Sequence, residues 1–216
     1  MLDQDAISDL EGDADYLFRH HRIEPGSSSA LRRLCVAMTG HAPEFARIFS
    51  EASLSRVAGA LRVFVRVGTP IPRARWLIGH ELAEAWHAER HYEEQDIEAR
   101  CDAMGAALAA PRASYLEARA IHGDDVRAIA KALAITESTA ILRDGETRGR
   151  PVGVVRRSGA IVRGDAFVWP VQLVVAAVER TRHASVRRIK IRDEPGRIGV
   201  RAALLLSPGR LRRGYV

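Results

Sequence analysis

Trp76-Leu77-Ile78-Gly79-His80-Glu81-Leu82-Ala83-Glu84 is the stretch on which the fold of this 216-residue chain turns. Trp76, Leu77, His80, Ala83, Glu84, His87 and His91 recur at intervals of three and four, so residues 73–91 are predicted to form one helix with these side chains on a broad face. Residues four apart on a helix stand one above the other. In the pattern His-Glu-x-x-His, that geometry brings two imidazoles to one Zn²⁺, and the Glu after the first His polarises the bound water. Here the fourth position after His80 is Glu84. The shared face survives, while a carboxylate replaces an imidazole. His-Glu-x-x-Glu is a weak signal by itself, and Glu84 also reads as a helix-surface acid paired with a nearby Arg.

The flanks add to it. A β-branched, alternating run at 60–67 is predicted as a strand, and Gly68-Thr69-Pro70 turns the chain into the helix. After a polar break at 93–96, residues 97–109 form a second, Ala-rich helix closed by Pro111. Returning antiparallel, it would present Glu98 as a third ligand. Asp102, one turn on from Glu98, reads either as the acceptor that orients His80 or as an ordinary helix carboxylate. His87 lies seven residues after His80, about 10.5 Å along the axis, too far to share its metal on an unbroken helix. A shifted site of Glu84, His87 and Glu98 stands beside the plainer reading of His87 and His91 as polar-face or second-shell histidines. Trp76, Trp86 and Trp169 read as core or interface anchors.

Residues 76–84, together with Asp96-Ile97-Glu98-Ala99-Arg100-Cys101-Asp102-Ala103-Met104-Gly105-Ala106-Ala107-Leu108-Ala109-Ala110-Pro111, resemble the ImmA/IrrE family of metallo-endopeptidases. Residues 128–140 are similar to the helical segment after that family's metal site, and residues 142–152 to the stretch that closes it. The resemblance spans roughly residues 5–170, with its specific motifs in 60–152. It implies a gluzincin-like core in which the strand before the motif helix lies at the sheet edge. It makes His80 a metal ligand, Glu81 the general base and Glu98 the third ligand; Glu84 stands where the family has its second His. It further implies a cytoplasmic endopeptidase that cuts a DNA-binding, repressor-type protein through a metal-activated water. The expected metal is Zn²⁺. A site of His80, Glu84 and Glu98 is harder and richer in oxygen than two His and a Glu, which makes Mn²⁺ the second candidate. The alternative is a catalytically degenerate, protease-fold regulatory binding module, which needs no metal.

Outward from this centre, residues 5–22 and 31–39 show helical periods, with Ser29 placed to cap the second helix and Gly40 to end it. Residues 41–56 fit neither period. A helix is expected at 113–121. Two short helices follow within 124–146, with helix-turn-helix spacing, but the second offers Glu137, Ser138, Thr139 and only Arg143 to a base edge, a poor set for reading DNA. Strands are expected at 152–156, 160–163, 186–192 and 197–206, with a helix at 170–180. The predicted class is α+β: a mostly helical, zincin-like metallopeptidase core with a small antiparallel-type sheet, then a basic α+β region. The domains expected are the core at 1–123, a helical subdomain at 124–150 and the basic region at 151–216.

Composition bounds the partners. With 47% hydrophobic residues, the chain has enough apolar content to fold throughout. No run approaches the ~20 apolar residues of a membrane span, so no membrane partner is expected. Residues 1–10 hold three acids and no base, unlike a secretory signal. Cys35 and Cys101 form no spacing pattern and read as buried thiols in a reducing cytoplasm. Residues 151–216 hold 14 Lys and Arg against 4 Asp and Glu, whereas the first 150 carry a net charge of −4. Arg187-Arg188-Ile189-Lys190-Ile191-Arg192 would give a strand one basic face, suited to non-specific nucleic-acid contact or to an acidic protein. A solvated basic face is the plainer reading. P-loop, dinucleotide and Gly-x-Ser-x-Gly motifs are absent.

Overall fold

The computed structural model describes residues 4–88, 90, 97–148, 152–156, 161–164 and 201–205. Contacts divide the chain into two units, Met1–Arg143 and Asp144–Val216. The first is mostly helical around one small sheet, which makes the class α+β.

Helix α1, Gln4–His20, buries Ile7, Leu10, Ala14, Leu17 and Phe18, the stripe its three-and-four spacing dictates. Helix α2, Ala30–Thr39, buries Leu31, Leu34 and Cys35. Gly40 closes it in the left-handed region at φ 76°, its N–H donating to the Val36 carbonyl at 2.8 Å. Ser29 precedes this helix as expected, but its own φ/ψ is helical and its side chain makes no capping bond.

Three strands follow: β1 Glu44–Ala46, β2 Ala52–Val57 and β3 Ala60–Arg66. The expected antiparallel-type sheet is in fact mixed. β2 and β3 are antiparallel, β1 and β3 parallel, and the order is β1-β3-β2. The chain reverses twice between β1 and β3, and β3 then inserts beside β1. The strand read at 60–67 is therefore the centre of the sheet, and the edges come from the stretch that fitted neither period. Ala58 and Gly59, both at positive φ, make the two-residue turn between β2 and β3. That handedness matches the twist of a hairpin. Val63 and Val65 face the core, fully buried.

Helix α3, Ile71–Ala88, packs chiefly against α4, Ile97–Ala109, and also against β2, β3 and α2. It is buried nearly all round, through Leu77, Ile78, Leu82, Ala83, Ala85 and Trp86. Helix α5, Arg112–His122, and helix α6, Val126–Ala132, complete the unit together with the start of α7, Glu137–Arg148. The Asp125 side chain caps α6 by accepting from the N–H groups of Arg127 and Ala128. The helices after 123 are bound into the first unit rather than set apart: Tyr115 donates its hydroxyl to the Ala140 carbonyl at 3.0 Å. Arg143, fully buried, pairs with Glu11 at 2.6 Å and donates to the Ala110 carbonyl.

In the second unit β4, Val152–Arg156, lies between β5, Ile161–Gly164, and β6, Arg201–Leu205, antiparallel to both. The strand expected at 186–192 and the helix at 170–180 lie outside the described residues, as do His91, Trp169 and most of the basic stretch. No helix among the described residues is long and apolar enough to cross a membrane.

Candidate metal centre

Two glycines set the geometry. A Cβ on Gly79 would stand 2.5 Å from the Gly105 carbonyl oxygen, and one on Gly105 would stand 2.7 Å from the His80 nitrogen. Helices α3 and α4 therefore cross backbone to backbone at this point, closer than any side chain permits. Mid-helix glycine is unfavourable by about 1 kcal/mol against alanine, and this close approach is the physical reason for two of them.

The crossing sets His80 against the first turns of α4. Oδ1 of Asp102 lies 2.7 Å from Nδ1 of His80. Oε2 of Glu98 lies 3.7 Å from Nε2. A carboxylate against Nδ1 favours the tautomer with its proton there, which turns the Nε2 lone pair toward Glu98. His80 and Glu98 are the pair that could hold a divalent cation. His80 is largely shielded, whereas the Glu98 side chain is 85% exposed, so the open side of the pair faces solvent. Trp76 covers the imidazole with ring centroids 5.3 Å apart, and Arg73 lies over Trp76 at 4.5 Å from its centroid.

Glu81 points into the fold and is only 6% exposed. Its carboxyl is pushed up to about 7 by burial first, then by the charge of Glu84, against the opposing pull of His80. A hydrogen bond with Glu84 favours the protonated form further, and the N–H of Leu54, which donates to it, favours the charged one. The β2 edge of the sheet therefore holds the Glu81 side chain. Glu84, exposed on α3, meets Glu81 through the shared hydrogen bond.

The structure brings together His80 with Glu98, His80 with Asp102, and Glu81 with Glu84. Among the described residues, no group of three or more His, Cys, Asp and Glu is gathered in a metal-binding arrangement. His87 is no polar-face residue: it is 1% exposed. Burial, followed by the charge of Arg100, pushes its imidazole down to about 4, with Asp13 opposing. Cys101, as expected, is buried, and it forms no disulfide. The Leu54 contact and the Trp76–Arg73 cover were not foreseen. The glycines at 79 and 105 were the available signal for the close crossing.

No family model and no curated protein matches the chain. Ten solved chains match it in structure. One is described as a Mycobacterium tuberculosis transcriptional regulator, with a TM-score of 0.61 and 14% identity, over 80% of this chain and 62% of that one. The present chain thus spans less than two thirds of that regulator, and at this identity the likeness concerns the fold.

Proposed function

We propose that the chain is a metal-dependent endopeptidase with a zincin-like core of the ImmA/IrrE kind, acting on a regulatory, repressor-type protein. The observation that carries this is the meeting of His80 Nε2 and Glu98 Oε2 at 3.7 Å, one residue along the helix from a carboxyl held near neutral pH. His80 and Glu98 would hold Zn²⁺, or Mn²⁺ as the second choice, with Glu84 the remaining candidate ligand one turn along α3. When bound, the ion supplies Lewis acidity toward water and the scissile carbonyl. Asp102 holds the His80 ring in one tautomer. Glu81 takes a proton from the attacking water and delivers it to the leaving nitrogen, and a carboxyl that titrates at about 7 can do both at neutral pH. The β2 edge at Leu54 fixes where that carboxyl stands. Gene control as the setting is in keeping with the regulator of similar fold.

The experiment is cleavage of a proteome-derived peptide library by the full chain supplied with Zn²⁺ or Mn²⁺. The expected result is chelator-sensitive cleavage, lost in Glu81→Gln while metal content and fold persist. Cleavage by that variant at the wild-type rate would remove Glu81 from the base role. No cleavage with either metal leaves the second reading, a regulatory binding module on the same fold. That reading is favoured by one observation: the carboxyl in place of the second imidazole is engaged with Glu81 itself.

A further inference from the structure

Away from His80, the loop that joins β1 to β2 carries the most exposed large apolar side chain among the described residues. Phe49 is fully exposed, and Val67, at the end of β3, is more than half exposed. Scattered apolar residues on a surface need no explanation. These two are not scattered. With Ile48, Arg47 and Arg66 they line one depression of about 440 Å³, within the range of about 300–1,000 Å³ that takes a ligand or an anchoring side chain.

The walls are cationic. Arg66 also donates to the Phe49 carbonyl at 3.5 Å, which ties the loop to the strand end. Its guanidinium reaches Glu51 at 3.8 Å, and Glu51 is shared with Arg73. One carboxylate thus serves two guanidiniums, while Arg47 makes no ion pair among the described residues. The depression combines apolar floor, aromatic rim and uncompensated positive charge, the composition of an interface hot spot.

We propose that this shelf docks an acidic segment of a partner protein. A bulky apolar side chain of that segment fills the depression against Phe49, Ile48 and Val67, and Asp or Glu side chains flanking it meet Arg47 and Arg66. A protein segment fits better than a lipid surface. The basic clusters that hold anionic membranes number about 4–8 side chains, whereas two line this depression. The depression shares no lining residue with the candidate metal centre, and the proposal does not depend on whether the chain cleaves anything.

The test is selection of a random 12-residue peptide library displayed on phage against the immobilised full chain, in the presence of a chelator. Enriched peptides are then synthesised with a fluorescent label for titration. Enrichment of peptides that combine Asp or Glu with Leu, Phe or Trp is expected, together with affinity at least tenfold weaker for Phe49→Ala and for Arg47→Glu. Both side chains are at the surface, and an unchanged Tm shows that the variants are folded. Binding in Glu81→Gln should equal wild type, which separates this site from the peptidase reading. No enrichment, enrichment without acidic residues, or equal retention by both variants would overturn the proposal. So would binding to anionic phosphatidylglycerol vesicles that Phe49→Ala abolishes while no peptide is retained.

Discussion

Asp102 stands against the Nδ1 side of His80, at 2.7 Å, while Glu98 stands toward Nε2, at 3.7 Å. The two carboxylates lie one turn apart on α4 and grip opposite nitrogens of one ring. In the proposed function the nearer one would set the tautomer, and the farther one would share a cation with the ring. Asp102→Asn keeps the shape and removes the charge that holds the proton on Nδ1. We expect its affinity for Zn²⁺ to fall about 10–100-fold in a competition titration with a chromophoric chelator, with little change in Tm. Equal affinities would reduce Asp102 to an ordinary helix carboxylate.

Two buried groups on α3 titrate in opposite senses, and their effects on stability oppose each other. Glu81 rises from 4.5 to about 7 on folding. Between those values the folded state binds more protons than the unfolded one, so stability falls as pH rises. His87 falls from 6.5 to about 4. Between those values the unfolded state binds more protons, so stability rises with pH. Urea denaturation of the metal-free wild type should therefore show a shallow dependence from pH 4.5 to 6.5. Glu81→Gln should unmask the His87 slope and gain on the order of 2 kcal/mol relative to wild type at pH 8. His87→Leu should unmask the opposite slope. Parallel pH curves for the three proteins would refute both assignments.

The glycine crossing gives a prediction of sign. Gly12, in the middle of α1, has nothing within 4 Å of a Cβ, so Gly12→Ala should stabilise by about 1 kcal/mol from helix propensity alone. The same exchange at Gly105 drives a methyl to 2.7 Å from the His80 backbone nitrogen. The expected net loss is about 1–3 kcal/mol, the usual effect of overpacking, with weaker metal binding because His80 is pushed away from Glu98. Thermal unfolding of the two variants should move Tm in opposite directions. A stabilised Gly105→Ala would mean that the helices separate without cost.

Much of this was legible in the residues, for local reasons. The 97–109 segment is bounded by a polar break and Pro111, and α4 occupies it without adjustment. The stripe from Ile7 to Phe18 and the face from Trp76 to His87 follow helical spacing that tertiary packing only reinforces. Sheet order was not legible. Ala-Ser-Leu-Ser-Arg-Val at 52–57 is half-exposed along its length and offers only a weak alternation, and the turn at Ala58-Gly59 lacks the Asn-Gly or Asp-Gly signature. With β2 unread, the place of β3 in the sheet rested on the resemblance alone, which put it at an edge. His87 was misplaced for a different reason. Its period shows which stripe it shares with His80, but not that α1 and α4 close over the far end of α3, where Asp13 and Arg100 reach it. At the site, spacing brought His80, Glu84 and Glu98 into consideration together. The pairing of Glu81 with the Leu54 N–H depends on a strand register that no local pattern encodes.

The proposed function requires that His80 and Glu98 hold a divalent cation, with Glu84 beside them. Its most direct measurement is elemental analysis of the full chain after incubation with Zn²⁺ or Mn²⁺ and desalting, for wild type, His80→Ala, Glu84→Ala and Glu98→Ala in parallel. About one metal ion per wild-type chain is expected, lost in His80→Ala and Glu98→Ala and diminished in Glu84→Ala, with Tm showing every variant folded. A wild type that retains no metal from either solution, or a stoichiometry the three substitutions leave unchanged, would contradict it.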